Sequence, residues 1–309
     1  MEVFNIENLN EITNSGENKV AALGFFDGIH KAHQKIITNA VKKAKELKIK
    51  SVVITLDRSP KEYFGKTTVE CLTPQNKKNE LLMELGVDEV YYLTFNEILQ
   101  NINAEEFIDN VLIKLNVVEV FCGYDYRFGN KGLGTPLLIE NYTQGKITTN
   151  VLNEMLEDNI KISTTSLKQF IKEGKLENYN KFTGRYYMVS GTVIHGKKLG
   201  RTIGFPTANL KLHDKYLLPD SNGVYLTKTK VGDKVYKSVT NIGFNPTTDK
   251  DRTERIIETY IIDFSDDIYD KTIELYFYEF MRPELKFTSF EELKAKIMED
   301  KEVAEKKDI

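Results

Sequence analysis

Apolar positions in the first half of the chain follow two alternating spacings. Short continuous apolar runs fit buried strands, and between them apolar residues recur every three or four positions, as on one face of a helix. The strand-like runs are 19–26, 51–56, 87–93 and 117–123, and the helical stretches are 36–47, 73–86 and 104–115. This alternation predicts βαβ units and a parallel sheet with helices on both faces. Ligands of such folds bind beyond the carboxyl ends of the strands, so the loops after residues 26, 56, 93 and 123 are the expected sites.

The pattern changes near residues 182–185. Beyond this point short β-rich runs are separated by Gly, Asn and Asp turns, which predicts an antiparallel barrel or sandwich. The runs are 186–194, 223–231, 234–242, 258–264 and 272–280. Residues 287–306 predict a charged amphipathic helix, with Ser289 as N-cap and Glu292 completing a capping box. A chain of 309 residues with this change of pattern indicates two domains, 1–183 and 184–309.

Composition narrows the functional classes. The 43 Lys and Arg residues nearly balance the 46 Asp and Glu residues, and a net charge of −3 argues against a general polyanion binder, so no nucleic-acid partner is expected. No apolar run approaches the ~20 residues of a membrane helix, and the first residues lack the features of a secretory signal. With only Cys71 and Cys122, a structural disulfide is not expected, and a reduced, cytoplasmic protein is predicted.

The segment from Gly24 to His33 follows the first predicted strand and opens the first predicted helix. Glycine lets the backbone approach a ligand closely, and His30 and His33, three residues apart, share one face of the helix. Two imidazoles beside helix N-terminal amides suit a phosphate. The alternatives are a plain strand–helix turn with two surface histidines, or a zinc site that lacks its third and fourth ligands.

Two further segments carry candidate chemistry. Residues 123–132 follow a predicted strand, and there aromatic side chains could wall a ring while Asp125 accepts hydrogen bonds. A Gly-rich surface loop is the alternative. Residues 162–168 cluster hydroxyl side chains at a predicted helix start, where they bind phosphate oxygens or, more commonly, cap the helix.

Together these three segments resemble the adenylyltransferase module of bacterial bifunctional riboflavin kinase/FAD synthetases, a branch of the HxGH nucleotidyltransferases. The resemblance covers roughly residues 1–183 and implies a Rossmann-like α/β fold. The ATP-binding residues that it implies are Gly24, Phe26, Asp27, His30, His33, Ser163, Thr165 and Lys168, and the flavin-binding residues are Asp125 and Phe128.

Three positions depart from the family pattern. Ala32 replaces a glycine, Gly132 stands about where a basic residue is usual, and Lys168 replaces an arginine. Lysine keeps the charge of arginine but lacks the planar fork that grips a phosphate. Since phosphoryl and nucleotidyl transfer depend on positioned charge, these departures bear on adenylylation.

In the second half, residues 200–209 read Gly-Arg-Thr-Ile-Gly-Phe-Pro-Thr-Ala-Asn and lie between predicted strands. Thr207 and Asn209 offer oxygen ligands of the kind that Mg²⁺ prefers. A barrel corner built on Gly and Pro is the alternative. Glu258 stands at the start of a predicted strand, where a glutamate is usually exposed to solvent.

These features, with the segments at 223–225, 241–247, 268–271 and 281–287, resemble riboflavin kinase over roughly residues 184–309. The resemblance implies a six-stranded antiparallel barrel with a C-terminal helix. It implies a catalytic base in Glu258, a magnesium site at Thr207 and Asn209, and an ATP site formed by Gly200, Gly204, Pro206, Thr207 and Asn209. Asn241 and Arg282 are the implied flavin contacts.

The two resemblances together imply two active sites with ATP as co-substrate and Mg²⁺ as cofactor. The barrel would convert riboflavin to FMN, and the α/β domain would convert FMN to FAD with release of pyrophosphate. Oligomerisation is not required. Two alternatives stay open: a riboflavin kinase with a degenerate first domain, which the three departures favour, and a non-catalytic flavin-binding regulator, against which the intact Thr207, Asn209 and Glu258 argue.

Overall fold

The computed structural model describes residues 1–14, 16–65, 70–196, 204–244 and 255–309. The chain divides into two compact units, Met1–Thr164 and Thr165–Ile309. The stretch up to the predicted boundary at 183 belongs to the second unit because it packs on the barrel strands. There the ring of Tyr179 meets that of Tyr187 edge-on at 5.2 Å, and the Asp220 N–H donates to the Lys172 carbonyl.

The first unit is built on a six-stranded sheet in which every pairing is parallel, in the order β1-β4-β3-β2-β5-β6. The strands are β1 Glu2–Ile6, β2 Lys19–Leu23, β3 Lys50–Leu56, β4 Glu89–Leu93, β5 Val117–Gly123 and β6 Thr148–Leu152. The four predicted strands are confirmed. The prediction missed β1 and β6, because edge strands are half-exposed and lack a continuous apolar run.

Helices cover both faces of this sheet, as predicted. Along β2, Ala21 and Leu23 pack into one apolar cluster and Val20 and Ala22 into another, because successive side chains of a strand point to opposite faces. The helices are α1 Lys31–Leu47, α2 Pro60–Tyr63, α3 Gln75–Glu84, α4 Glu97–Asn101, α5 Ala104–Phe107, continued by a π-helical turn at Ile108–Ile113, and α6 Pro136–Tyr142. A short hairpin, β7 Leu156–Glu157 and β8 Ile160–Lys161, follows the sheet.

A buried ionic cluster lies at the amino ends of the parallel strands. Glu89 accepts hydrogen bonds from Lys19 and Lys50, each at 2.7 Å, and Lys19 also contacts Tyr91. Burial by itself raises the pKa of Glu89, but the hydrogen bonds from the two lysines outweigh it and hold that pKa below its ordinary value. The cluster lies at the end of the sheet away from the expected ligand edge, so its role is structural.

The second unit is a closed barrel in the order β10-β13-β12-β11-β14-β9, with every pairing antiparallel. The elements are α7 Thr164–Lys172, whose first residue falls in the first unit, α8 Leu176–Thr183, β9 Tyr187–Ile194, β10 Thr207–Leu212, β11 Gly223–Val231, β12 Lys234–Phe244, β13 Arg255–Ile261, β14 Thr272–Pro283 and α9 Phe290–Lys306. The expected six-stranded barrel with a C-terminal helix is thus confirmed.

Three local expectations needed correction. Thr207 and Asn209 lie inside β10 rather than in a loop between strands, because residues 207–212 alternate polar and apolar side chains and bury Ala208 and Leu210 on one face. Glu258 lies in the interior of β13, which already begins at Arg255. Ser289 caps α9 as predicted, but the Glu292 carboxylate accepts from the Thr288 N–H rather than closing the box on Ser289.

Candidate active sites

The strand order of the parallel sheet indicates where the first candidate site lies. From β2 the chain winds in one direction through β3 and β4, whereas β5 and β6 lie on the other side of β2. Ligands of such sheets bind where the order reverses, beyond the carboxyl ends of the two strands that flank the reversal. These ends are Leu23 and Gly123, so the predicted segments at 24–33 and 123–132 both begin at this edge.

His30 and His33 are brought together at the start of α1. Their rings stack with centroids 3.6 Å apart, and His30 Nδ1 accepts a hydrogen bond from the His33 N–H at 3.2 Å. His30 is therefore the N-cap of the helix, and it is only 4% exposed, which corrects the alternative of two surface histidines. The two imidazoles are stacked at the N-terminus of a helix, the end at which negative charge is favoured.

Gly24–Gly28, which we name the phosphate turn, is held from inside the protein. Asp27 is buried, and its Oδ1 accepts hydrogen bonds from the N–H groups of Leu72 and Thr73 at 3.0 and 3.1 Å. The ring of Phe26 is also buried and would lie 2.7 Å from a Cβ at position 24, so Gly24 cannot carry a side chain there. Both Asp27 and Phe26, implied as ATP-binding residues, thus shape the turn, and Asp27 Oδ1 is engaged with backbone.

The hydroxyl segment reaches the same turn through a residue that the sequence analysis did not single out. Thr164 is the first residue of α7, and its Oγ1 donates to the Asp27 carbonyl oxygen at 3.0 Å. Ser163 precedes it, whereas Thr165 and Lys168 follow along α7. Thr164 therefore has a structural partner, and the clustered hydroxyls were the signal that could have identified it.

At the end of β5, Asp125 and Phe128 differ in exposure. The Asp125 carboxylate is 67% exposed, 3.8 Å from Lys161 Nζ. Lys161, on β8, also donates to the Tyr124 hydroxyl, and this hydrogen bond raises the pKa of Lys161. Phe128 is buried against Phe107, with centroids 5.1 Å apart, so it forms the inner wall of the segment. Asp125 is the implied flavin contact that faces outward, and Lys161 beside it is a charged residue that the sequence analysis missed.

The register of the barrel strands brings the residues of the second candidate site together. Glu258 of β13 is directly opposite Asn209 of β10 on one side and Asn241 of β12 on the other. Side chains paired in this way share a face and stand about 4.5–5.5 Å apart at Cβ. Thr207, two residues before Asn209, has the same orientation. The residues that flank Glu258 along β13 are buried whereas Glu258 is half-buried, so the row lies on the outer face of the barrel.

The implied flavin contacts of the barrel have partners of their own. Asn241 Nδ2 donates to Glu284 Oε1 at 3.3 Å. Arg282 lies two strands further along the same row and donates through Nε and Nη2 to Asp300 of α9, at 2.9 and 2.6 Å. Its guanidinium thus fastens the C-terminal helix to the barrel, a role that the sequence analysis did not foresee.

The glycine-rich segment before β10 is described in part. Gly200 lies outside the described residues. Gly204 and Pro206 are exposed, and Gly204 has φ +86°, a conformation that favours glycine. Between them Phe205 is buried, with its ring 5.2 Å from that of Tyr260. Phe205 therefore anchors this end of β10 beside Thr207, which pairs with Tyr260.

Comparisons with known proteins cover both halves of the chain. A family described as FAD synthetase matches residues 12–166, and one described as riboflavin kinase matches residues 183–307. A bifunctional riboflavin kinase/FMN adenylyltransferase of Listeria monocytogenes is 39% identical over 92% of this chain and 91% of its own length. That of Bacillus subtilis is 36% identical over the same shares. The chain belongs to the bifunctional riboflavin kinase/FMN adenylyltransferase family.

A solved structure matches the present chain over its full length. It is described as a macrolide-efflux protein from Streptococcus pneumoniae, is 30% identical, and matches with a TM-score of 0.91 over 100% of both chains. In the described part of the present chain, no helix combines the length and the apolar character needed to cross a bilayer. Among the same residues, no three His, Cys, Asp or Glu side chains are grouped so that they could hold a metal.

One departure from the family pattern has a structural explanation. Gly132 has φ +67°, in the left-handed region that a side chain disfavours, and a Cβ there would lie 3.3 Å from Arg127. A basic residue would be strained at this position, so glycine agrees with the local backbone. Nothing in the structure explains Ala32.

Proposed function

We propose that this chain phosphorylates riboflavin to FMN on the outer face of its barrel and adenylylates FMN to FAD at the carboxyl edge of its parallel sheet. The observation that carries the proposal is the row formed by Asn209, Glu258 and Asn241, in which a carboxylate stands between two amides on neighbouring strands. The proposed domains are 1–183 for adenylylation and 184–309 for phosphorylation, and the matched families at 12–166 and 183–307 support this division.

In the kinase step, the 5′-hydroxyl of riboflavin attacks the γ-phosphorus of ATP, the bond from that phosphorus to the β–γ bridging oxygen breaks, and ADP leaves. Glu258 accepts the hydroxyl proton. Thr207 and Asn209 fit a magnesium ion because they present neutral oxygen atoms on one face of one strand, and Mg²⁺ keeps several waters besides one or two protein ligands. Bound there, Mg²⁺ would neutralise charge on the phosphates.

Flavin binding at the barrel is best assigned to Asn241, next to Glu258 in the row. Arg282 donates through Nε and Nη2 to Asp300, so its anchoring role is better supported than a flavin contact. Gly200, Gly204 and Pro206 stay proposed ATP contacts through their place in the segment that leads into β10.

In the adenylylation step, a phosphate oxygen of FMN attacks the α-phosphorus of a second ATP, the bond from that phosphorus to the bridging oxygen breaks, and pyrophosphate leaves. The stacked His30 and His33 and the N-terminal amides of α1 support the triphosphate, with Ser163, Thr165 and Lys168 as further proposed contacts. Asp125 is the proposed flavin contact. Positioning and fixed charge suffice for such a transfer, so no covalent enzyme intermediate is invoked.

We further propose that a single chain carries out both steps in the cytoplasm. Both family matches, at residues 12–166 and 183–307, fall in this one chain. The chain has only two cysteines, which suits a reducing compartment.

The test is chromatography of flavins after the pure protein is incubated with riboflavin, Mg²⁺ and excess ATP. FMN followed by FAD supports both sites. FMN alone, with added FMN left unconverted, would assign this chain kinase activity only, and no product at all would refute catalysis.

The base assignment has its own test. Glu258→Ala, and Glu258→Gln as the closest match in shape, should lower FMN formation about 10²- to 10⁴-fold, the usual contribution of a general base, and leave FAD formation from FMN intact. Glu274→Gln, on β14 of the same barrel, is the matched control and should retain activity. Near-normal FMN production by both Glu258 variants would contradict the assignment.

A further inference from the structure

Lys78 of α3 is a buried cation beneath the phosphate turn. The residue is only 5% exposed. Its Nζ donates to the carbonyl oxygen of Phe25 at 3.0 Å and lies 4.9 Å from the centroid of the Phe25 ring and 5.8 Å from that of Tyr92. A second donor, Thr55 Oγ1 of β3, reaches the same carbonyl at 3.0 Å. The Phe25 carbonyl is thus fixed from two elements at once.

These contacts determine the orientation of a peptide group inside the phosphate turn. In a trans peptide the C=O and N–H groups point in opposite directions, so fixing the Phe25 carbonyl also directs the Phe26 N–H away from Lys78. Phe26 has φ +52°, which is strained for a bulky side chain and persists only where the surroundings impose it. The Asp27 carboxylate ties the same turn to the backbone just before α3. The phosphate turn and the α3 region are therefore linked by hydrogen bonds in both directions, from Lys78 to the turn and from Asp27 back to the residues before α3.

A structural hydrogen bond alone does not account for a lysine at this position. Burying an ammonium group is costly, whereas the neutral hydroxyl of Thr55 makes the same hydrogen bond without that cost. Burial lowers the pKa of Lys78 to about 8, although Asp27 and Cys71 oppose the effect. A charge kept under this penalty next to a site for a triphosphate indicates an electrostatic role as well as a mechanical one.

We propose that Lys78 is a positioning residue of the adenylylation site, where its ammonium group fixes the peptide between Phe25 and Phe26 and sets a positive charge beneath the phosphate turn. Lys78 acts through the turn because its Nζ is engaged with the Phe25 carbonyl and covered by two rings. This inference rests on the proposed function of the first domain.

The main experiment compares FMN-to-FAD and riboflavin-to-FMN conversion in the full-length chain. Lys78→Met, which keeps the length of the side chain but not its charge, should lower kcat/KM of FAD formation for ATP about tenfold or more, with the KM for FMN and the rate of riboflavin phosphorylation unchanged within about twofold. Lys77→Met is the matched control, because Lys77 is the neighbouring residue of α3 and pairs with Glu80 at the surface. It should leave both conversions unchanged.

A pH profile adds a readout that a purely structural residue would not change. The groups that face Lys78 are Asp27 from the turn, Cys71 from the segment before α3, and Tyr92 from β4, whose pKa burial raises. In the wild-type protein kcat/KM for ATP in FAD formation should fall as pH rises through about 8, because this parameter reports ionisations of the free enzyme. The decline should be absent from Lys78→Met and present in Cys71→Ser.

Thr55→Val separates the two parts of the proposal, since it removes one hydrogen bond to the Phe25 carbonyl and no charge. It should lower FAD formation less than Lys78→Met does and keep the decline near pH 8. This variant and the wild-type pH profile also test the proposal if Lys78→Met does not fold.

Three results would overturn the role of Lys78. These are FAD formation by Lys78→Met within about twofold of wild type, an equal loss of both conversions, or a wild-type profile flat from pH 7 to pH 9.5. Absence of FAD from the wild-type protein would instead refute the proposed function. The role of Lys78 would then be decided by calorimetric ATP affinity, which Lys78→Met lowers if Lys78 supports the phosphate turn and leaves unchanged if it does not.

Discussion

Replacing Asp300 by asparagine tests how the C-terminal helix is held on the barrel. Asp300 of α9 is buried, and its two carboxylate oxygens accept hydrogen bonds from Nε and Nη2 of Arg282 on β14. Asparagine keeps the size of the side chain but removes the negative charge. The Arg282 side chain, 15% exposed, then stays mostly buried without a counter-charge.

The expected cost follows from that burial. Removing one partner of a buried ion pair destabilises a protein by about 3–5 kcal/mol, and the residual exposure of Arg282 places this case at the lower end. For a unit of about 150 residues each kcal/mol lowers Tm by roughly 2–4 °C, so a 3 kcal/mol loss corresponds to roughly 6–12 °C. Differential scanning calorimetry of the full-length chain should show the barrel transition lowered by this amount and that of the first unit unchanged.

A control and a double mutant complete the test. Glu305→Gln removes a surface ion pair with Lys301 on the same helix and should cost less than about 0.5 kcal/mol. Asp300→Asn combined with Arg282→Met should be more stable than the sum of the single losses predicts, since neither charge is then left alone. A barrel transition within about 2 °C of wild type in Asp300→Asn would refute the anchoring role, and Arg282 would return to being a flavin contact.

Three further predictions concern the two units separately. His33→Ala should lower FAD formation and leave FMN formation unchanged, and an equal loss of both in the flavin chromatography assay would show that the two sites are not separable. Glu89→Gln should destabilise the first unit by about 3–5 kcal/mol in calorimetry, because a buried lysine loses its counter-charge. The pKa of Glu89 is lowered on folding, so the stabilisation that its charge provides is complete above the ordinary pKa of 4.5 and is lost as pH falls through the lowered pKa. A first unit whose stability in the wild-type protein stayed constant as pH fell below 4.5 would contradict this. Thr240→Val should lower the free energy of unfolding of the barrel by about 1–3 kcal/mol, because the buried hydroxyls of Thr227 and Thr259 each lose a hydrogen-bond partner. An unchanged melting temperature would contradict a stabilising role for these hydroxyls.

The amino-acid sequence by itself determined the elements that a local pattern defines. Continuous apolar runs marked β2 to β5, and regularly spaced β-rich runs marked an antiparallel barrel, because burial of one face or both imposes a period on neighbouring residues. The family motifs also supplied Thr207, Asn209 and Glu258 before any geometry was known. The register of the barrel later placed Asn209 opposite Glu258, and with them Asn241.

Only the tertiary structure decided what the remaining side chains do, because each role depends on a partner far away in the chain. Asp27 reads as a phosphate ligand in its motif, yet its Oδ1 bonds to backbone 45 and 46 residues later. Arg282 reads as a flavin contact, yet it is held by Asp300 on a helix packed outside the barrel. Lys78 looks like one more surface lysine of a charged helix until the fold places it under Phe25. Local spacing carries no information about such long-range pairs, since they form only when strands and helices assemble.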